Sequence, residues 1–362
     1  MTAIGPRRDR ARRTFRWIWP LTILFVGQPL VNGAETRQAE TFDFVSAIPH
    51  TKAVEALALT DSVLAIADGT RTVHLLDAMH PAAPESIDTI TTDVPVTHLL
   101  TDGARLLLTL GHGPRASRPG TASLVEIAEI GRPRTARSFP VAELPAPPVD
   151  AVWIGDRVLV ALGAAGAAVL DASVPHLPTL SAVLETGTEV ECVAIAGTVG
   201  YLGWLGAEGH STVAAFDLQD ATAPLELDAR DVGARVVRLT AANDWIALGS
   251  IGAGIGFLEI VDPTEIPTPR FGAGTASVTD LASHVGYVFS SWGSRGGVQV
   301  FDTEKGARVT TNVFREDVAN AASLAVTART LAVVENASTV RLARRGTRED
   351  PSRSPTDPGG CN

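Results

Sequence analysis

The chain has 362 residues, of which 45% are apolar and 19% are charged, so it can bury a sizeable hydrophobic core. Its 40 acidic and 30 basic residues leave a net charge of −10, which argues against non-specific binding to nucleic acid. Two cysteines, Cys192 and Cys361, are too few for a disulfide framework or a four-cysteine zinc site.

The first 34 residues have the organisation of a secretory signal peptide. Six arginines precede residue 17, against one acid, Asp9. An apolar stretch at 17–31 follows, but two prolines interrupt it and it falls short of the ~20 apolar residues that a membrane-spanning helix needs. Small residues end the segment at Ala34. We predict cleavage there and export to the periplasm, the cell surface or the medium, with an uncleaved N-terminal anchor as the alternative.

The export route stays open. Arg12-Arg13-Thr14-Phe15 resembles part of a twin-arginine motif, but Arg16 stands where that motif usually has leucine. Loss of residues 1–34 would remove six arginines and one aspartate and take the net charge from −10 to −15. Such an acidic mature chain is expected to be a soluble monomer without a stable membrane span.

One phrase recurs through the rest of the chain: an apolar strand that ends in Asp, followed by a short segment with proline. Five copies carry the Asp, and two degenerate copies have Ala in its place. The mean spacing of the copies is about 44 residues, the period of a four-stranded propeller blade. The register positions are Asp77, Ala128, Asp171, Asp217, Asp262, Asp302 and Ala343.

Each copy consists of short apolar strands separated by Gly or Asp turns, which is typical of all-β proteins. The last copy has only three strands, and a spare strand at 41–48 precedes the first copy. Pairing of this strand with the last copy would leave only protected sheet edges. We therefore predict an all-β propeller at 35–343, with seven four-stranded blades closed by the N-terminal strand, and a disordered tail at 344–362. Six or eight blades are the alternatives.

The repeat resembles that of the LVIVD-repeat family of exported bacterial and archaeal propellers. The match is best in Ile66-Ala-Asp-Gly69 with Leu75-Leu-Asp77, and it covers most of residues 41–343. The second copy departs because it lacks the Asp, and the seventh because it is short. The resemblance implies a propeller in a surface or periplasmic setting, and it implies no catalytic residue.

The repeated aspartates are expected to be structural rather than metal ligands. They occur one per blade, so they cannot converge on one ion, and an Asp after a strand accepts the N–H two residues on and starts a turn. The sequence has no local metal-ligand spacing of histidines and no nucleophile motif, so we predict no catalytic, cofactor or metal residue. Cys192 is predicted to be buried in an inner strand, and Cys361 to lie in the tail.

The loops between the second and third strands are predicted to be long in four blades: the second, fourth, fifth and sixth. Aromatic and arginine side chains on exposed loops are typical anchors for partners. This face is therefore a candidate binding surface for a protein or glycan. Its candidate residues are Trp204, His210, Trp292, Arg295, His112, Arg115 and Arg118.

Two classes of function remain. One is a non-catalytic interaction scaffold that uses the long loops. The other is an exported enzyme or small-molecule binder with a site at the mouth of the central tunnel. The second requires polar residues at the starts of inner strands to converge, whereas scattered ones favour the scaffold. The candidates are Glu55, Asp150, Glu191, Arg235 and Asp280.

Overall fold

The computed structural model describes residues 42–50, 52–102, 106–112, 120–126, 138–174, 178–206, 208–272, 276–293, 297–304, 308–313 and 320–345. They belong to one compact unit, Ala39–Asn362. All regular secondary structure in these ranges is β-strand. None of the residues described here forms a helix that is long and apolar enough to cross a membrane.

The described strands form seven four-stranded antiparallel sheets, numbered here as blades in chain order. Blade 1 contains β2 (Ala56–Leu59), β3 (Val63–Ala67), β4 (Thr72–Asp77) and β5 (Ser86–Thr91). Blade 2 contains β6 (Val96–Thr101), β7 (Leu106–His112), β8 (Gly120–Glu126) and β9 (Ser138–Leu144). Blade 3 contains β10 (Asp150–Ile154), β11 (Arg157–Ala161), β12 (Ala167–Asp171) and β13 (Thr179–Leu184). Blade 4 contains β14 (Val190–Ala196), β15 (Val199–Leu205), β16 (Ser211–Asp217) and β17 (Leu225–Asp231).

The remaining blades follow the same plan. Blade 5 contains β18 (Val236–Ala242), β19 (Trp245–Ser250), β20 (Ile255–Glu259) and β21 (Arg270–Phe271). Blade 6 contains β22 (Asp280–His284), β23 (Tyr287–Ser291), β24 (Val298–Asp302) and β25 (Arg308–Val313). Blade 7 contains β26 (Ala321–Val326), β27 (Thr330–Glu335) and β28 (Thr339–Arg345), together with β1 (Phe42–Pro49) from the other end of the described chain.

β1 lies antiparallel to β28 on the outside of blade 7. Phe42 is opposite Arg345 and Pro49 is opposite Thr339, with a bulge near Phe44. The Arg341 guanidinium lies over the Phe44 ring, 5.5 Å from its centroid. Because β28 continues to Arg345, the folded domain extends two residues beyond the predicted boundary at 343.

The first strands of the blades contact one another in a closed cycle, from β2 through β6, β10, β14, β18, β22 and β26 back to β2. The second strands are covered on both faces, as in β3 and β27, where every residue is buried. Neighbouring blades provide that cover, which explains the nearly continuous apolar runs. The all-β propeller arrangement with four-stranded blades is thus confirmed.

The five repeated aspartates have the predicted structural role. In each, Oδ1 accepts a hydrogen bond from the backbone N–H two residues on, at 2.8–3.0 Å. Each bond starts the turn that leads to the outer strand of its blade. These aspartates are Asp77, Asp171, Asp217, Asp262 and Asp302.

Candidate functional site

The first strands surround a central channel with a volume of about 700 Å³. Every blade contributes to its lining, mainly through residues near the start of its first strand. The second strand of a blade ends beside the start of the first, as in the pairs Val190–Trp204 and Asp280–Ser291. The channel residues therefore lie on the same face of the propeller as the loops between second and third strands.

Four charged residues of the described chain line the channel. Glu55 lies at its rim, and the other three, from three blades, are called the channel site: Asp150, Arg238 and Asp280. Asp150 and Asp280 begin β10 and β22, where each is opposite the last residue of the second strand. Arg238 lies in β18, with Nε 3.5 Å from Asp280 Oδ1. Its Nη1 donates to the carbonyl of Val237 at 2.9 Å, which helps to hold the guanidinium in place.

The two carboxylates of the channel site also join neighbouring blades. Asp150 Oδ2 accepts the N–H of Val193 in blade 4 at 3.0 Å, and Asp280 Oδ2 accepts the N–H of Leu324 in blade 7 at 2.8 Å. Both donors come directly after a β-bulge in their strand. A bulge breaks the regular ladder and re-aims local groups, so an acceptor from the neighbouring blade can reach this N–H. The site is therefore built into the contacts between blades.

Burial and charge act together on the channel site. Burial raises the pKa of Asp150 to about 6; the Arg238 guanidinium and the Val193 N–H oppose this rise, and the Asp280 carboxylate adds to it. Burial also disfavours the charged form of Arg238, but the carboxylates of Asp150 and Asp280 outweigh it and raise the Arg238 pKa. Arg238 thus stays cationic, while Asp150 changes its charge near neutral pH.

The predicted tunnel residues divide into two groups. Glu55, Asp150 and Asp280 line the channel, whereas Glu191 and Arg235 pair with each other, Oε1 to Nη2 at 3.3 Å, away from its lining. Glu55 is exposed and precedes β2, so it lies at the rim of the channel. Asp150 and Asp280 are half-buried within the channel.

Arg238 lines the channel but was not among the residues predicted from the sequence. The sequence feature that could have indicated Arg238 is its charge within the apolar run Val236-Val237-Arg238-Leu239. The bulge between Val236 and Arg238 shifts the strand by one residue, and no pattern in the sequence shows that shift.

The structure corrects the expectation that the loop tryptophans are exposed anchors. Trp204 is half-buried and packs against the apolar cluster between blades 3 and 4. Trp292 is also half-buried; it packs against the cluster that contains Val288 and Phe301, and its Nε1 donates to Ser290 Oγ at 2.8 Å. Both rings thus contribute to packing within the propeller.

The loop lengths differ from the prediction in blade 5. Its loop between the second and third strands covers only 251–254, as short as 68–71 in blade 1. The expected elongation is wrong there, because Gly249, Ser250, Ile255 and Gly256 belong to strands. In blade 6 the corresponding loop is longer, 292–297.

Of the other predicted loop residues, His210 is exposed, with Nδ1 3.8 Å from Asp231 Oδ1. Glu208 lies nearby, and the ligand atoms of these three residues are within 4.8 Å of one another. All three are exposed, so water competes for each of them.

The remaining predicted residues can be placed only in part. His112 ends β7. Arg115, Arg118 and Arg295 fall outside the described residues, as does Cys361, whereas Cys192 is buried as predicted.

No protein-family model and no curated protein sequence matches the chain. Among solved structures, the WD40 β-propeller domain of Doa1 is similar, with a TM-score of 0.63 and 13% identity over 86% of this chain and 98% of that one. The computationally designed Ika8 protein is also similar, with a TM-score of 0.58 and 12% identity over 84% of this chain and 100% of that one. Likeness at this identity shows the fold alone. The chain is a β-propeller protein.

Proposed function

We propose that this chain is an exported seven-bladed propeller of the LVIVD-repeat type, closed by its N-terminal strand, that binds a small polar ligand in its central channel. The observation that carries the proposal is the channel site, where Asp150, Arg238 and Asp280 from three blades meet in one cavity. Ligand sites are typically concave and preformed, with a few convergent polar groups. The place of action is the periplasm or the cell surface.

Binding in the channel explains the described residues better than a scaffold that captures a protein or glycan through its loops. Trp204 and Trp292, which would anchor such a partner, are half-buried and engaged in packing. The channel site, by contrast, lies in an open cavity on the same face. Binding also accounts for the geometry better than catalysis does, since both carboxylates accept backbone N–H groups that hold them in fixed positions.

Export makes a prediction about processing. We expect the mature protein to begin between Gly33 and about Glu40, because small residues follow a short apolar segment there. N-terminal sequencing of the protein recovered from outside the cytoplasm would measure this. A protein that still begins at Met1 would contradict cleavage and favour the anchored alternative.

Ligand binding can be tested with four probes of different charge: putrescine, L-arginine, citrate and glucose. At least one probe should bind the protein in isothermal titration calorimetry at pH 7.5. Thr240→Trp, which puts a large ring into the channel lining, should weaken that binding at least tenfold. Thr89→Trp, on the exposed surface of outer strand β5, is the matched control and should bind as the unmodified protein does.

The proposal fails if none of the four probes binds, or if Thr240→Trp binds as well as Thr89→Trp. A co-crystal structure with the bound probe gives a second measurement that does not depend on the variants. A probe located anywhere outside the channel would also contradict the proposal.

A further inference from the structure

The channel has more negative than positive charge. Its described lining contains three carboxylates, those of Glu55, Asp150 and Asp280, and one guanidinium, that of Arg238. Cavities lined by an excess of one charge concentrate ions of the opposite sign. The mature chain is itself expected to be strongly acidic, which adds to this effect.

The three carboxylates differ in how far the protein already uses them. A carboxylate has about four acceptor positions. Asp280 uses three of them for hydrogen bonds and pairs with a cation as well: Ser323 Oγ and the Leu324 N–H donate to Oδ2, the Leu281 N–H donates to Oδ1 at 2.9 Å, and Arg238 Nε forms an ion pair with Oδ1 at 3.5 Å. Asp280 is therefore part of the framework of the site.

Asp150 and Glu55 retain acceptor capacity. Among the described residues, Asp150 accepts the backbone N–H groups of Val193 and Ala151, in addition to its attraction to Arg238. The Glu55 side chain makes no hydrogen bond or ion pair within the part of the chain that the structure describes, and it is exposed at the rim. These two carboxylates are the ones that can contact a ligand.

We infer that the ligand of the channel is a small organic cation, such as an amine or a guanidinium compound, whose charged group binds the free acceptor positions of Asp150. The inference rests on the proposed function and specifies its ligand class. Glu55 adds negative charge at the rim, where the cation enters. Charge-assisted hydrogen bonds from N–H groups to a carboxylate are stronger than neutral ones, and a low-dielectric cavity strengthens them further.

A metal ion fits this site less well than an organic cation. Arg238 places a fixed positive charge 3.5 Å from Asp280, and Asp280 already accepts hydrogen bonds from Leu281, Ser323 and Leu324. Among the described residues, the group whose ligand atoms could surround one ion is Glu208, His210 and Asp231, away from the channel. An organic cation needs only hydrogen-bond acceptors in directions that its N–H groups can reach.

The burial of Asp150 supports this inference. Burial disfavours the charged form of a carboxylate unless enough positive charge lies close to it. The pKa of Asp150 is raised to about 6, although Arg238 of β18 attracts the charged form and the Val193 N–H of β14 donates to it. Asp280 of β22 repels it, and His98 of β6 approaches the Val149 carbonyl with Nε2 at 3.0 Å. A bound cation would supply the missing positive charge.

The test uses putrescine, whose amino groups stay protonated between pH 5.0 and 7.5. We expect putrescine to bind at pH 7.5 and to bind about tenfold more weakly at pH 5.0, because Asp150 must lose its proton first. Asp150→Asn should weaken binding at pH 7.5 at least tenfold and flatten the pH dependence. Any slope that remains in Asp150→Asn measures the contribution of other groups to the pH dependence.

The matched control is Asp244→Asn, which removes the same charge from an exposed turn between β18 and β19. It should leave the putrescine affinity unchanged. Asn at position 150 can still accept the Val193 N–H, so this variant is expected to fold, and its circular dichroism spectrum verifies that. Glu55→Gln should weaken binding less than Asp150→Asn does.

The outcomes separate this inference from the proposed function. If citrate or glucose binds in a way that Thr240→Trp abolishes, while putrescine and L-arginine do not bind, the channel is a ligand site and the cation inference is overturned. If putrescine binds Asp150→Asn and the unmodified protein equally, the role of Asp150 is overturned. If no probe binds, both proposals fail.

Discussion

Deletion of residues 42–49 is expected to lower the free energy of unfolding by about 3–5 kcal/mol, the scale of one large apolar side chain removed from a core. The deletion removes the strand that pairs along β28. It also removes Phe44, Val45 and Ile48 from the apolar clusters of blade 7 and its neighbours. The exposed edge of β28 would then be free to pair with other chains, so aggregation should follow. Urea denaturation and size-exclusion chromatography measure the two effects.

The control for this deletion is a variant that lacks only residues 1–38 and keeps β1, which should be as stable as the protein with an unmodified N-terminus. Phe44→Ala, expected to cost about 2 kcal/mol for a half-buried ring, gives a measurement if the deletion variant is insoluble. A monomeric deletion variant with an unchanged melting temperature would mean that β1 contributes nothing to the closure of the propeller.

Asp150→Asn is expected to make the protein more stable above pH 7, by about 1–3 kcal/mol, and to leave its stability at pH 4 unchanged. The pKa of Asp150 is about 6 in the folded protein, against an ordinary value near 3.9. Between these values the folded state binds more protons than the unfolded state, so the free energy of unfolding falls as the pH rises. The cost of the buried charge is complete above about pH 7, and the amide removes it. Thermal unfolding of both proteins at pH 4 and pH 8 measures the difference.

Asp280→Asn is expected to lower the stability of the protein, in contrast to Asp150→Asn. Oδ2 of Asp280 accepts Ser323 Oγ and the Leu324 N–H, and Oδ1 accepts the Leu281 N–H and pairs with Arg238, so an amide nitrogen at either position would face a backbone N–H group. This variant should lose about 2 kcal/mol at pH 8, the scale of a buried donor left unsatisfied. If Asp150→Asn were also less stable than the unmodified protein at pH 8, the attraction between Asp150 and Arg238 would outweigh the cost of burial. The predicted sign would then be wrong.

The repeat in the sequence was sufficient to predict the blades. An Asp that ends an apolar strand starts the same turn wherever it occurs, because the hydrogen bond that it accepts is local. Asp77 and Asp302 lie more than 200 residues apart, yet their Oδ1 atoms accept the same N–H bond. Gly69, directly after Asp68, is a second example of a local rule. Its φ of +68° is a backbone conformation that favours glycine. Local rules of this kind can be read from one copy and transferred to the next.

The channel site depends on relations that no single copy contains. Arg238 and Asp280 come from different blades, and their distance follows from the rotation between blades and from a bulge in β18. Asp150 and Asp280 could be predicted from the sequence because both begin inner strands, but Glu191 and Arg235 occupy similar positions and could not be told apart from them. Those two residues lie outside the channel lining and neutralise each other, a pairing between blades that the repeat does not show.

The pairing of β1 with β28 has a consequence for the time order of folding. The two strands are separated by about 290 residues, so bringing them together from an unfolded chain costs about 5 kcal/mol of loop-closure entropy. Contacts of such long sequence separation form slowly, after local hairpins. Blades 1 to 6 use neighbouring strands alone and can form as soon as each segment has been synthesised. Blade 7 must wait for residue 345, and until then β1 remains an unpaired strand that a chaperone could hold.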